Sequence, residues 1–221
     1  MKQQFAAKHP WTILAAGAAI QVLTGIPAAW GVFQQPVMDE YGLSEQGAGY
    51  AFGILIAAFG VGCVLGGFLQ DSRGPRCAAL WGTALLCGGF FAAAILPGGS
   101  AGSFFLAFSI PAGLGTAFLY PSIQSCAQKW YADRKGLATG VIGGAVGLSG
   151  AFLTVFVRTA VSGFGIVQGI RGAFWALGAI TLPVCLAGSL LLQDPPESRQ
   201  NQQGSGKNEI DLSPWQMLKT K

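Results

Sequence analysis

Charge is scarce in this chain. Only 10% of its 221 residues are Asp, Glu, Lys or Arg, against about a quarter in a water-soluble domain. So few charges cannot cover a water-exposed surface. Histidine is nearly absent: His9 stands alone. The five cysteines, Cys63, Cys77, Cys87, Cys126 and Cys185, form no CxxC pair, and each lies in or beside an apolar run. Their pattern is that of small apolar packing residues rather than disulfides or ligands. With no cluster of His, Cys and carboxylate, no metal is expected. The apolar runs hold no Ser/His pair, no paired carboxylates and no HExxH, so an enzyme is not expected either. The net charge of +4 raises nucleic acid as a partner. No basic patch interleaves with aromatics outside the apolar runs, and that partner is set aside. The glycine-rich stretch GVIGGAVGLSG, residues 140–150, is not a dinucleotide loop: no strand precedes it and no acid follows at the needed distance. No cofactor is implied.

What the chain has in quantity is apolar length. Its residues are 52% hydrophobic, with a mean hydropathy of +0.50. Six runs stand out, at 11–33, 50–70, 77–97, 103–127, 137–157 and 172–193. Each is close to the ~20 residues that cross ~30 Å of hydrocarbon at 1.5 Å per residue. Lipid requires every backbone group to bond within its own segment, so the runs predict six transmembrane helices. Lys2 and Lys8 before the first run resemble the start of a signal peptide. That run is too long for one and five more follow, so it is expected to be a retained helix.

The cations set the topology. With the N-terminus inside, every one of the 13 basic residues except Arg158 and Arg171 falls on the inner side. The first outer connection carries Asp39, Glu40 and Glu45. This asymmetry predicts a multi-pass protein of the inner or plasma membrane with both termini cytoplasmic. Trp11, Trp30 and the Trp130–Tyr131 pair sit near run ends, where an interfacial belt would place them. Residues 1–193 then form the six-helix membrane domain. Residues 194–221 form a cytoplasmic linker, polar and rich in Pro and Gly, ending in a short surface helix. That helix starts at Ser213, with Pro214 at its first position and Gln216 reaching back to the cap.

Two connections carry motifs. Between the second and third runs lies GGFLQDSRGPR, residues 66–76. Gly74 permits positive φ, Pro75 starts the next helix without losing a hydrogen bond, and Arg73 and Arg76 face the anionic inner leaflet. Asp71 is placed to meet a helix N-terminus or an arginine. Gly67, Asp71, Gly74 and Arg76 resemble the loop signature of the major facilitator superfamily. Ser72 and Pro75 depart from it at positions that are usually basic. The second connection, KWYADRKGLATG (129–140), resembles the matching loop of the oxalate/formate antiporter family and the related monocarboxylate porters. So do LYPS (119–122) and TGIPAAWGVF (24–33). Many members have a tyrosine where this chain has Ala28.

The resemblance covers the N-terminal six of the family's twelve helices. It implies an all-α membrane protein forming one half of a major facilitator fold. It further implies alternating access to small mono- or dicarboxylates, and Asp71 as a conformational rather than substrate-binding residue. Three readings stand: half of a transporter that needs a C-terminal half, a non-transporting remnant, and a half-transporter that pairs with a second copy. From the residues themselves, Gln21 and Thr24 share one face of the first helix, and Tyr120 and Gln124 one face of the fourth. These four are the candidate lining of a central substrate cavity. Gly140/Gly144 and Gly143/Gly147 are spaced to let the fifth helix approach a neighbour closely. Arg158 and Arg171 are expected at outer span ends, screened by water.

Overall fold

A computed structural model describes residues 10–97, 101–163 and 169–195. Its helices, in chain order, are α1 (Pro10–Thr24), α2 (Ile26–Tyr41), α3 (Glu45–Arg73), α4 (Pro75–Ile95), the single turn α5 (Ala101–Phe104), α6 (Ile110–Trp130), α7 (Lys135–Gly163) and α8 (Gly169–Leu191). A π turn, Phe105–Ser109, joins α5 to α6. Among the described residues there is no strand. Among the described residues six spans are long and apolar enough to cross a membrane: α1 with α2, α3, α4, α5 with α6, α7, and α8. The surface helix expected after Ser213 lies outside the described residues.

Local chemistry accounts for the ends. At the first turn, Gly42 adopts φ 64° and closes α2, and Ser44 accepts a hydrogen bond from the Gly47 amide at 3.1 Å to start α3. Glu45 sits in the first turn of α3, where the helix dipole favours it. Asp39 and Glu40 therefore lie in the last turn of α2 rather than in a loop. Gly74 holds φ 86° and Pro75 opens α4, as the loop motif predicts. The first span is broken. Gly25 interrupts it, and Pro27, which has no N–H, leaves the Leu23 carbonyl without its usual donor.

Packing places α6 at the centre, between α3 and α4. Close approach is made by glycines. A methyl at Gly115 would come within 2.6 Å of the Leu86 amide nitrogen, and one at Gly82 within 2.8 Å of the Gly115 carbonyl. Gly62 and Gly113 bring α3 as close on the other side. The stripe expected to do this on α7 does not. A Cβ at Gly140, Gly143, Gly144 or Gly147 would meet no neighbouring helix within 4 Å. The spacing marks a smooth face, but among the described residues no helix lies against it.

At the end that carries the α2–α3 turn, aromatic rings fill the core. Phe108 lies 4.9 Å from Phe174 and 5.3 Å from Phe104, and Phe33 stacks on Phe174 at 5.9 Å. The Tyr41 hydroxyl donates to the Ala93 carbonyl at 2.7 Å. Arg171 is not left to water there. It is half-buried, 2.7 Å from Glu40, with its guanidinium 6.0 Å from the centre of the Tyr41 ring. The pair is an ionic contact rather than a well-aligned hydrogen bond, since the Arg171 Nε–H has no acceptor in line. Arg158 is exposed, as expected.

Candidate functional site

The break in the first span brings polar groups into the bundle. Thr24 and Gln21 are both fully buried, and the Thr24 hydroxyl donates to the Gln21 amide oxygen at 3.1 Å. That leaves the Gln21 Nε2 without a partner among the described residues. A buried amide donor in this state is uncommon and calls for a polar occupant or a second conformation. The break itself is gripped by α7. Ser149 is buried, donates to the Val146 carbonyl at 2.5 Å, and lies 3.3 Å from the Gly25 carbonyl. A side chain at Gly25 would collide with the Ser149 hydroxyl.

Tyr120 and Gln124 come to a similar depth on α6. A Cβ at Gly17 of α1 would meet Ile123 of α6 at 2.7 Å and Ile142 of α7 at 3.1 Å. One turn along α1 from Gly17 is Gln21. One turn back along α6, which packs antiparallel to α1, is Tyr120. Tyr120 is half-buried against the ring of Phe59, 6.4 Å between centroids. Gln124 is also half-buried, and its Oε1 has no partner among the described residues. Gln21 and Tyr120 thus share one level of the bundle, with Thr24 about a turn to one side of it and Gln124 about a turn to the other. No hydrogen bond joins one pair to the other.

Ser149 was not among the candidates from sequence. It stood inside the glycine stretch, whose signal was packing. The dipeptide Gly25-Ile26 followed by Pro27 carried the clue to a helix break, and a break attracts a polar partner.

In the α3–α4 loop Gly74 and Pro75 make the turn, while Asp71 and Arg76 both depart from what was expected of them. Asp71 is exposed and, among the described residues, forms no ion pair with an arginine. Gly67 also has open space beside it. Arg76 is half-buried and its Nε donates to the Leu192 carbonyl, at the end of α8, at 2.8 Å. All five thiols are free, and no group of His, Cys, Asp or Glu among the described residues is arranged to hold a metal.

Fold and motifs together define a class, the membrane transporters built from six-helix bundles. The model of the Major Facilitator Superfamily matches residues 13–221, and the chain belongs to that family, one of transporters rather than enzymes. It is a multi-pass membrane protein. An oxalate:formate antiporter of Oxalobacter formigenes is 23% identical over 90% of this chain and 46% of its own length. Monocarboxylate transporter 9 of Mus musculus is 29% identical over 82% and 35%. An uncharacterized 38 kDa protein of Thermoproteus tenax is 30% identical over 82% and 46%. The chain spans less than half the length of these curated relatives. A crystal structure of the peptide transporter POT in complex with sulfate shares the fold, with a TM-score of 0.63 and 23% identity over 99% of this chain and 44% of that one.

Proposed function

We propose that this chain is one six-helix bundle of a transporter of small mono- or dicarboxylates, working by alternating access. The observation that carries this is the similarity, over most of the chain, to relatives named for oxalate, formate and monocarboxylates. Gln21, Thr24, Tyr120 and Gln124 are its contribution to the substrate path, with Gly25 as the point where the first span flexes. The membrane is the inner or plasma membrane, with residues 194–221 in the cytoplasm as linker and surface helix.

A second bundle completes the path. α3 and α7 are the least covered spans. Each packs against α2 and α6, and they present Val61, Val64, Phe68, Leu148 and Val155 outward. The four polar candidates are neutral, and no charged residue lies in the middle of any described span. A carboxylate entering such a site loses several kcal/mol of hydration per charge, and neutral hydrogen bonds return about 0.5–1.5 kcal/mol each. The cation must come from elsewhere, and a second copy adds none at the centre.

Reconstitution tests this. In liposomes the chain alone is expected to show no counterflow of labelled oxalate or formate above empty vesicles. A co-expressed second six-helix bundle is expected to restore it. Counterflow by the chain alone would overturn the two-bundle requirement and favour the paired half-transporter. Counterflow of another substrate class, with none of carboxylates, would overturn the substrate assignment.

A further inference from the structure

We propose that residues 192–195 form a docked strap that closes over Cys126 and ties the α3–α4 loop to the chain leaving the sixth span. Four contacts converge on this short stretch from two other helices. The Arg76 Nε donates to the Leu192 carbonyl at 2.8 Å. The Trp130 indole N–H donates to the Gln193 carbonyl at 2.6 Å, and the Cys126 thiol to the same oxygen at 3.2 Å. Lys129 pairs with Asp194 at 2.9 Å. Leu192 and Pro195 turn their side chains inward and are buried, with Leu192 fully so.

The chemistry explains why this stretch is held. The last carbonyls of a helix have no intrahelical donor. α8 ends at Leu191, so the Leu192 and Gln193 carbonyls need partners from outside the helix. α4 and α6 supply them, and a guanidinium is favoured at a helix C-terminus. The result is that Cys126, near the end of α6, is only 1% exposed beneath the strap. Arg76 belongs at once to the loop motif and to the strap. A displacement of the loop that carries Arg76 must then either drag residue 192 or break its contact, so the strap follows the state of the loop. Lys129 and Asp194 are exposed enough that their pair adds direction more than strength.

The test reads thiol reactivity and is independent of transport. Cys126 is left as the single cysteine by Cys63→Ala, Cys77→Ala, Cys87→Ala and Cys185→Ala. The full chain is placed in lipid nanodiscs, which expose both faces, and labelled with N-ethylmaleimide. Slow labelling is expected with the strap intact. Trp130→Phe with Lys129→Gln keeps an aromatic ring and a polar chain but removes the indole donor and the ionic pair, and should raise the rate roughly tenfold. Arg76→Gln should raise it too. A parallel chain with Cys185 as its single cysteine reports general loosening. A rise confined to Cys126 supports the strap. Labelling of the unaltered chain at the denatured rate, no rise in the variants, or an equal rise at Cys185 would each overturn it.

Discussion

Gly25 illustrates how one missing methyl decides a local structure. Its φ of −75° is ordinary, so conformational freedom is not the reason for glycine here. The reason is space: Ser149 occupies the volume where a Cβ would stand. Gly25→Val is expected to lower the apparent melting temperature of the purified chain, on the scale of an overpacked core, about 1–3 kcal/mol. Adding Ser149→Gly should recover part of the loss, because the two changes share one contact. Equal losses in the single and double variants would show that the strain lies elsewhere. Tyr41 makes a simpler case. Its hydroxyl reaches across to the Ala93 carbonyl of α4, and Tyr41→Phe should cost about 1 kcal/mol, the net value of one such bond.

Among the elements, α6 and α7 both carry glycines at close spacing, with opposite outcomes. Gly113 and Gly115 of α6 touch backbone on two sides, at Leu55 of α3 and at Gly82 and Leu86 of α4. Backbone cannot step aside as a side chain can. Gly115→Ala should therefore destabilise by about 1–3 kcal/mol, measured as a drop in apparent melting temperature. Gly143→Ala on α7 meets open space, and should leave the isolated chain unchanged or slightly steadier, since alanine is the better helix former. A loss from Gly143→Ala as large as that from Gly115→Ala would mean that the α7 glycines are already packed.

For the whole molecule, the open faces of α3 and α7 are the main fact. If a second bundle covers them, Gly143→Leu should spare the fold of this chain yet abolish the restored counterflow. Asp71 belongs to the same scale. It is exposed at the end of α3 and its side chain has no hydrogen bond or ion pair among the described residues, so a partner in the second bundle is expected. Asp71→Asn in the completed transporter should slow exchange more than it weakens substrate binding. Lost binding with unchanged exchange rates would refute a conformational role.

Six spans, their helical nature and the family were legible from the runs of apolar residues and the two loop motifs, because lipid leaves the backbone few alternatives. Gly74 and Pro75 were legible too, since each acts through its own backbone. What sequence order alone did not decide was which faces meet. Gly113 and Gly115 pack α6 tightly, whereas the small-xxx-small glycines of α7 line a bare face. Only the arrangement of neighbours distinguishes them, because small-residue spacing states that close approach is permitted and not that it occurs. The grip of Ser149 on Gly25, 124 positions away, and of Arg76 on Leu192, 116 away, arises the same way. Both are long-range contacts between helices, made where a helix breaks or ends; at Leu192 the ending helix leaves a carbonyl in want of a donor, and the choice of partner belongs to the tertiary structure.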